Sequence, residues 1–121
     1  MKKKVLCIDD SNTALILLEY ALNEAGFEAI LALSVEEAIN KIDLQIPDLI
    51  LLDLSMPAIS GYEFLEMRAK LNLGKVPVIV VSAFDSLKSV SKAQDLGAVD
   101  FVSKPIKIDA LINKIHKHLT I

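Results

Sequence analysis

Asp48-Leu-Ile-Leu-Leu-Asp53-Leu-Ser-Met-Pro-Ala-Ile-Ser-Gly61 is the stretch on which the fold turns. Four consecutive aliphatic residues, Leu49–Leu52, stop at an acid and pass into a segment rich in turn formers. An unbroken apolar run of this length suits a strand covered on both faces. A carboxylate closing such a run is expensive to bury unless something pairs with it. Three further runs end in the same way. Val5-Leu-Cys-Ile8 ends in Asp9-Asp10, Val76-Pro-Val-Ile-Val-Val81 in Ser82-Ala83, and Asp100-Phe-Val-Ser103 in Lys104-Pro105. Three carboxylates, a hydroxyl and an ammonium thus fall at the ends of four apolar strands. That inventory suits a divalent metal and a phosphoryl group.

Working outward, strand runs alternate with amphipathic segments along the whole chain. Strands are predicted over Lys4–Ile8, Glu28–Leu33, Leu49–Leu52, Val78–Val81 and Phe101–Val102. Helices are predicted over Asn12–Ala25, Val35–Leu44, Gly61–Leu71, Leu87–Leu96 and Ile108–Leu119. Leu15, Leu18, Leu22 and Ala25 share one face of the first helix, which Gly26 should end in a left-handed turn. Ser34-Val-Glu-Glu37 has the spacing of a capping box for the second helix. Leu111, Ile112, Ile115 and Leu119 share a face of the fifth.

Five strand–helix units in so short a chain predict an α/β fold, a doubly wound parallel sheet with helices on both faces. Order 2-1-3-4-5 is common for five such strands, although the pattern alone does not fix it. No linker, repeat or low-complexity stretch is present, and residues 1–121 are read as one domain. In such sheets ligands bind at the carboxyl ends of the strands, where the strand order reverses. Asp9, Asp10, Asp53, Ser82 and Lys104 all map to that edge.

Composition narrows the function. The chain has 121 residues, 53% of them hydrophobic, but no apolar run approaches the roughly 18 residues of a membrane helix. The net charge of −3 argues against direct nucleic-acid binding. Met1-Lys-Lys-Lys4 leads straight into a strand without a cleavage site, and Cys7 is the single cysteine, so a reducing cytoplasm is expected. Gly26, Gly61, Gly74 and Gly97 are too dispersed for a glycine-rich phosphate loop. His116 and His118 lie two apart on a helix, cannot form a metal pair, and are read as surface residues.

Three neighbouring carboxylates repel one another and should raise at least one pKa. A hard divalent cation relieves that repulsion, and Mg²⁺ prefers oxygen ligands of this kind. Asp9, Asp10 and Asp53 can supply them, with the backbone carbonyl of Ser55 as a further donor. A carboxylate can then act as nucleophile on phosphorus. Asp53, alone at a central strand end, is the expected nucleophile, while Asp9-Asp10 forms the metal pair. Lys104 and Ser82 would contact phosphoryl oxygens. Taken singly, Asp10 or Ser11 could equally be the cap of the first helix.

Asp9-Asp10, Asp53 with Met56-Pro57 and Gly61, Ser82-Ala83, Phe101 and Lys104-Pro105 together resemble the receiver domain of two-component response regulators, of the flavodoxin-like chemotaxis-regulator type. The resemblance spans about Lys3 to Leu119. It implies strand order 2-1-3-4-5 and Mg²⁺-dependent transfer of a phosphoryl group to Asp53. The donor would be the phosphohistidine of a histidine kinase or a histidine phosphotransfer domain. It further implies that Ser82 and Phe101 move on phosphorylation and that the surface over roughly Leu87–Leu119 meets a downstream effector. A cis Lys104–Pro105 peptide is common in that family. A monomer is expected, with a phosphorylation-dependent dimer as a further state. Leu15 stands where many members have a basic residue, and Phe101 where many have tyrosine. Ser55 and Phe84 lie where the family tunes loss of the phosphoryl group.

Ile16 and Leu17 point away from the Leu15–Leu18–Leu22 face, so the first helix either docks the phosphodonor through them or buries an unusually wide face. Two other functions remain open. One is a pseudo-receiver used only for protein contacts. The other is an aspartate-nucleophile phosphatase of the haloacid dehalogenase type. That type needs an acid two residues after the nucleophile, and position 55 is Ser.

Overall fold

Alternation along the strands builds the molecule. Successive side chains of a strand point to opposite faces, and here both faces are apolar. Leu6, Ile8, Ile50, Leu52, Val78 and Val80 pack into one core, and Val5, Cys7, Leu49, Leu51, Ile79 and Val81 into the other. The computed structural model describes residues 2–56 and 59–119; Pro57, singled out above, lies outside the described residues. Its elements run β1 (Lys4–Ile8), α1 (Asn12–Glu24), β2 (Glu28–Ala32), α2 (Val35–Ile42), β3 (Leu49–Leu52), α3 (Gly61–Met67), a 3₁₀ turn (Arg68–Leu71), β4 (Val78–Ser82), α4 (Leu87–Asp95), β5 (Asp100–Ser103) and α5 (Ile108–His118).

All strand pairs are parallel, and the order is β2-β1-β3-β4-β5. Helices cover both faces, as such a sheet demands. Leu15, Leu18 and Leu22 of α1 and Leu111 and Ile115 of α5 fill one core. Val35, Ala38 and Ile42 of α2, Phe64 and Leu65 of α3 and Ala93 of α4 fill the other. The chain leaves β1 outward to β2 and returns across β1 to β3. The crevice at the carboxyl ends of β1 and β3 is therefore the switch point. Among the described residues no helix is long and apolar enough to cross a membrane.

Local chemistry explains most boundaries. Ser11, not Asp10, caps α1: its hydroxyl accepts the Ala14 N–H at 3.2 Å. α1 is followed by Gly26 at φ +91°, as its position predicts. The capping box expected at Ser34–Glu37 is only half formed. Ser34 accepts the Glu37 N–H, but the Glu37 carboxylate turns to Lys41 one turn on, at 3.3 Å. The reciprocal box stands at Ser60–Glu63 on α3. α3 is shorter than predicted because its last turn tightens to 3₁₀ and ends at Asn72, φ +61°. Ile16 is 66% exposed, so the wide-buried-face reading of α1 fails for that residue. His118 is not a free surface histidine either. Its Nε2 lies 3.1 Å from Asp100 Oδ2, and Lys114 Nζ lies 3.2 Å from Oδ1 of the same carboxylate.

Candidate functional site

Backbone bonding at the switch point brings the acids together. The Asp53 N–H donates to the Ile8 carbonyl at 3.0 Å, which continues the β1–β3 ladder and sets Asp53 beside Asp9. The Asp9 N–H donates to Ala32 on the other side at 3.1 Å. Asp9, Asp10 and Asp53 each offer a carboxylate oxygen within 4.8 Å of the others. Asp9 and Asp53 are buried, while Asp10 is exposed. Neighbouring amides orient the buried pair. The Ser11 N–H donates to Asp9 Oδ1 at 2.9 Å, and the Ser55 N–H to Asp53 Oδ1 at 3.3 Å.

Lys104 reaches this cluster from the end of β5. Its Nζ lies 2.7 Å from Asp9 Oδ2 and 3.5 Å from Asp53 Oδ2. The Lys104 N–H donates to the Ser82 carbonyl at 3.0 Å, so the ends of β4 and β5 are tied just above the sheet. The following Lys104–Pro105 peptide is cis. The Ser82 hydroxyl is fully buried and accepts the Phe84 N–H at 3.1 Å. Phe101 is half-buried against the core shared by α2, α3 and α4.

The electrostatics follow from burial. Asp9 has a raised pKa, chiefly because burial disfavours its charge. Hydrogen bonds from Lys104 and Ser11 act in the opposite direction, and the Asp53 charge adds to the rise. Repulsion among the acids is thus the lesser part of the effect anticipated from sequence. Burial works against the Lys104 ammonium, but its hydrogen bond to Asp9 and the charges of Asp53 and Asp9 outweigh that, so its pKa is raised. Three carboxylates against one ammonium leave an excess of negative charge lined with oxygen donors. That donor set fits a hard divalent cation.

A family model for the response regulator receiver domain matches residues 5–116. The chain belongs to that family. Its fold agrees: the receiver superposes on Vibrio cholerae chemotaxis protein CheY4 with a TM-score of 0.92 at 26% identity, over 98% of this chain and all of the other. It superposes on the Francisella response regulator 1452 receiver domain at 0.88 and 30% identity, over 96% and 95% of the two chains. In sequence, it is 31% identical to sporulation initiation phosphotransferase F of Bacillus subtilis, over 98% of this chain and 95% of that protein. It is 34% identical to the Bacillus subtilis alkaline phosphatase synthesis transcriptional regulatory protein PhoP, over 87% of this chain but 43% of that protein. The receiver therefore spans most of one of these relatives and less than half of the other. Response regulator receivers are signalling modules that meet histidine kinases or phosphotransfer proteins and pass the signal to effectors.

Asp9, Asp10, Asp53 and Lys104 lie together, whereas Ser82 stands at the end of β4, tied to Lys104 through its backbone carbonyl. Sequence reasoning missed the supports. Ser11 was named only as a possible cap of α1; that its amide also fixes Asp9 was not anticipated, although the Asp9-Asp-Ser11 spacing signalled it. Gly61 was noted only as part of the motif. A Cβ there would sit 2.4 Å from the Asp53 carbonyl oxygen and 2.7 Å from Leu54 Cα, so only glycine lets α3 start this close to the site.

Proposed function

We propose that this receiver accepts a phosphoryl group on Asp53 from the phosphohistidine of a histidine kinase or histidine phosphotransfer domain. A carboxylate oxygen of Asp53 forms the new bond to phosphorus, and the bonding pair of the broken P–N bond returns to the donor imidazole. Mg²⁺ is the cofactor, with Asp9, Asp10 and Asp53 as its carboxylate donors and the Ser55 carbonyl as a further one. When bound, it supplies neutralisation of the carboxylates and of the phosphoryl oxygens.

The chain's own groups do the remaining work. Asp9 and Asp53 are held by the Ser11 and Ser55 amides before any substrate arrives, which is the positioning that phosphoryl transfer requires. Lys104, already drawn to both acids, pairs with a phosphoryl oxygen once Asp53 is phosphorylated. Among the described residues the Ser82 hydroxyl accepts from the Phe84 amide and finds no acceptor of its own, so its O–H can donate to a second phosphoryl oxygen. A shift of Ser82 toward that oxygen would release the Phe84 amide, two residues before the Ser86 cap of α4. Ser82 and Phe101 are thus the switch residues, and α4, β5 and α5 form the output surface. The domain spans residues 1–121 and acts as a monomer that can dimerise when phosphorylated. It acts in the cytoplasm and turns over no separate substrate.

One observation carries this reading: Lys104 Nζ sits against both buried carboxylates of a three-acid cluster at the switch point. The test is intact mass after incubation with Mg²⁺ and acetyl phosphate. The wild type should gain one phosphoryl group, about 80 Da, and Asp53→Asn none. No gain, together with no Mg²⁺ binding, would return the pseudo-receiver reading.

A further inference from the structure

α4 is poorly anchored by its own side chains. Ala93 is its single fully buried residue, and Leu87 at its start is 89% exposed. An alanine contributes little apolar area, so burial alone does not fix this helix. α3 is the opposite case. Phe64 and Leu65 are buried, its start carries a reciprocal capping box, and the Gly61 N–H donates to the Leu54 carbonyl at 3.2 Å. Gly61 leaves no room for a Cβ beneath the Asp53–Leu54 backbone. The first turn of α3 is thus locked to the backbone of the phosphoacceptor strand end.

Tyr62 follows Gly61 and reaches across to α4. Its hydroxyl donates to the Ser89 carbonyl at 3.4 Å, and Lys92 Nζ stands 4.2 Å from its ring centroid. Ser89 and Lys92 are three residues apart and face the same way on the helix. At the far end, the Arg68 guanidinium fills the space beside Gly97, just past α4, and donates to the Val76 carbonyl at 3.4 Å. Besides the apolar packing around Ala93, α4 is therefore held to α3 by the hydrogen bond and cation–π contact of Tyr62, with Arg68 filling the space just past its end. Such contacts are individually weak and readily exchanged, unlike interdigitated core packing.

We infer that Tyr62 is a positioning residue that couples the state of Asp53 to the placement of α4. The path is Asp53–Leu54 backbone, Gly61, Tyr62, then Ser89 and Lys92. It is separate from the route through Ser82 and Phe101 and rests on Asp53 being the phosphoacceptor. Coupling is reciprocal, so a partner that holds α4 changes the phosphorylation equilibrium at Asp53 by the same factor that phosphorylation changes its binding.

The test is amide hydrogen exchange over Leu87–Asp95, with and without phosphorylation by acetyl phosphate and Mg²⁺. It compares wild type, Tyr62→Leu, and the milder Lys92→Gln at an exposed position. In the unphosphorylated state Tyr62→Leu should speed α4 exchange about tenfold, and Lys92→Gln less. Both variants should still gain about 80 Da. The phosphorylation-linked change in α4 exchange should fall at least about threefold in each. A role confined to stability would alter the basal rate and leave that difference intact. A mass gain with an undiminished α4 response in both variants overturns this inference alone. No mass gain in the wild type overturns the reading of Asp53, and this coupling with it.

Discussion

Replacing Lys104 by Met isolates the charge balance of the site. The ammonium lies 2.7 Å from Asp9 and 3.5 Å from Asp53, whose side chains are 3% and 7% exposed. Met keeps the length and apolar stem of the side chain and removes the charge. Two buried carboxylates are then left with one amide each, from Ser11 and Ser55, and no ammonium. Breaking a buried ion pair costs about 3–5 kcal/mol. Lys104 itself retains some solvent access, and Asp10 beside it is exposed, which places the loss near the lower end, about 3 kcal/mol. For a domain of this size that is a fall in Tm of about 12 °C. The chain contains no Trp, so unfolding is followed by far-UV circular dichroism, in urea and by heat, without divalent cation. The Lys104 pKa is raised in the folded protein, so its contribution is fully present below the unfolded value near 10.4 and is lost only above the folded one. Measurement at pH 7.5 therefore sees all of it. Asp9→Asn removes the acid that burial already disfavours, and the double variant should recover about 2 kcal/mol of the loss. Mg²⁺ should raise the Tm of Lys104→Met more than that of wild type, since it restores positive charge among the same acids. A Lys104→Met protein within about 0.5 kcal/mol of wild type, with additive effects in the double variant, would refute the account of Lys104 as counter-ion to this cluster.

Two further predictions concern the periphery. Ile16→Glu, at a position 66% exposed, should leave stability within about 0.5 kcal/mol of wild type and slow phosphotransfer from a phosphohistidine donor. Its reaction with acetyl phosphate should be unchanged, and equal slowing with both donors would rule out docking through α1. The Asp100 pKa is lowered: burial opposes this, but the Phe101 amide, His118 and Lys114 outweigh it. A depressed carboxylate contributes stability that is present above its unfolded pKa near 3.9 and lost as pH falls through the folded value. Urea midpoints should therefore decline less steeply below about pH 4 in Asp100→Asn than in wild type. Parallel curves would mean that the Lys114–Asp100–His118 cluster adds nothing in solution.

What was legible in the sequence divides along physical lines. The strands were legible because both of their faces are apolar, so Leu49–Leu52 and Val78–Val81 stand out without reference to partners. The candidate site was legible because several polar residues close such runs at one sheet edge, although any one acid there could be a helix cap. Strand order was not, since hydrophobic pattern is blind to which strand lies beside which; the resemblance supplied it. Caps divided unevenly. Ser34 and Ser60 both precede an acid at the right spacing, but Lys41 at i+4 draws Glu37 away from the Ser34 box. His118 was misjudged because its partner, Asp100, is distant in sequence and adjacent only once β5 and α5 pack. Tyr62 was invisible for the same reason: its role depends on α4 lying against α3.

The distribution of packing explains how one covalent change can be transmitted. β3 and β4 are buried along their full length, and β1 at all but its first residue. The acids therefore follow directly on the most completely buried strands of the sheet. The site still carries excess negative charge, with two buried carboxylates sharing one ammonium and the exposed Asp10 close by. On the function proposed above, a divalent cation would answer that imbalance, and Lys104 would exchange a carboxylate oxygen for a phosphoryl oxygen. Among the described residues, the Ser82–Phe84 turn and α4 are held by contacts that are readily exchanged. An interior packed to native density cannot deform gradually, so the response is confined to elements with two comparably good placements. α4, with one buried alanine and a tyrosine contact at 3.4 Å, is the helix least fixed by packing, whereas α1, α3 and α5 are each anchored by at least two large buried side chains.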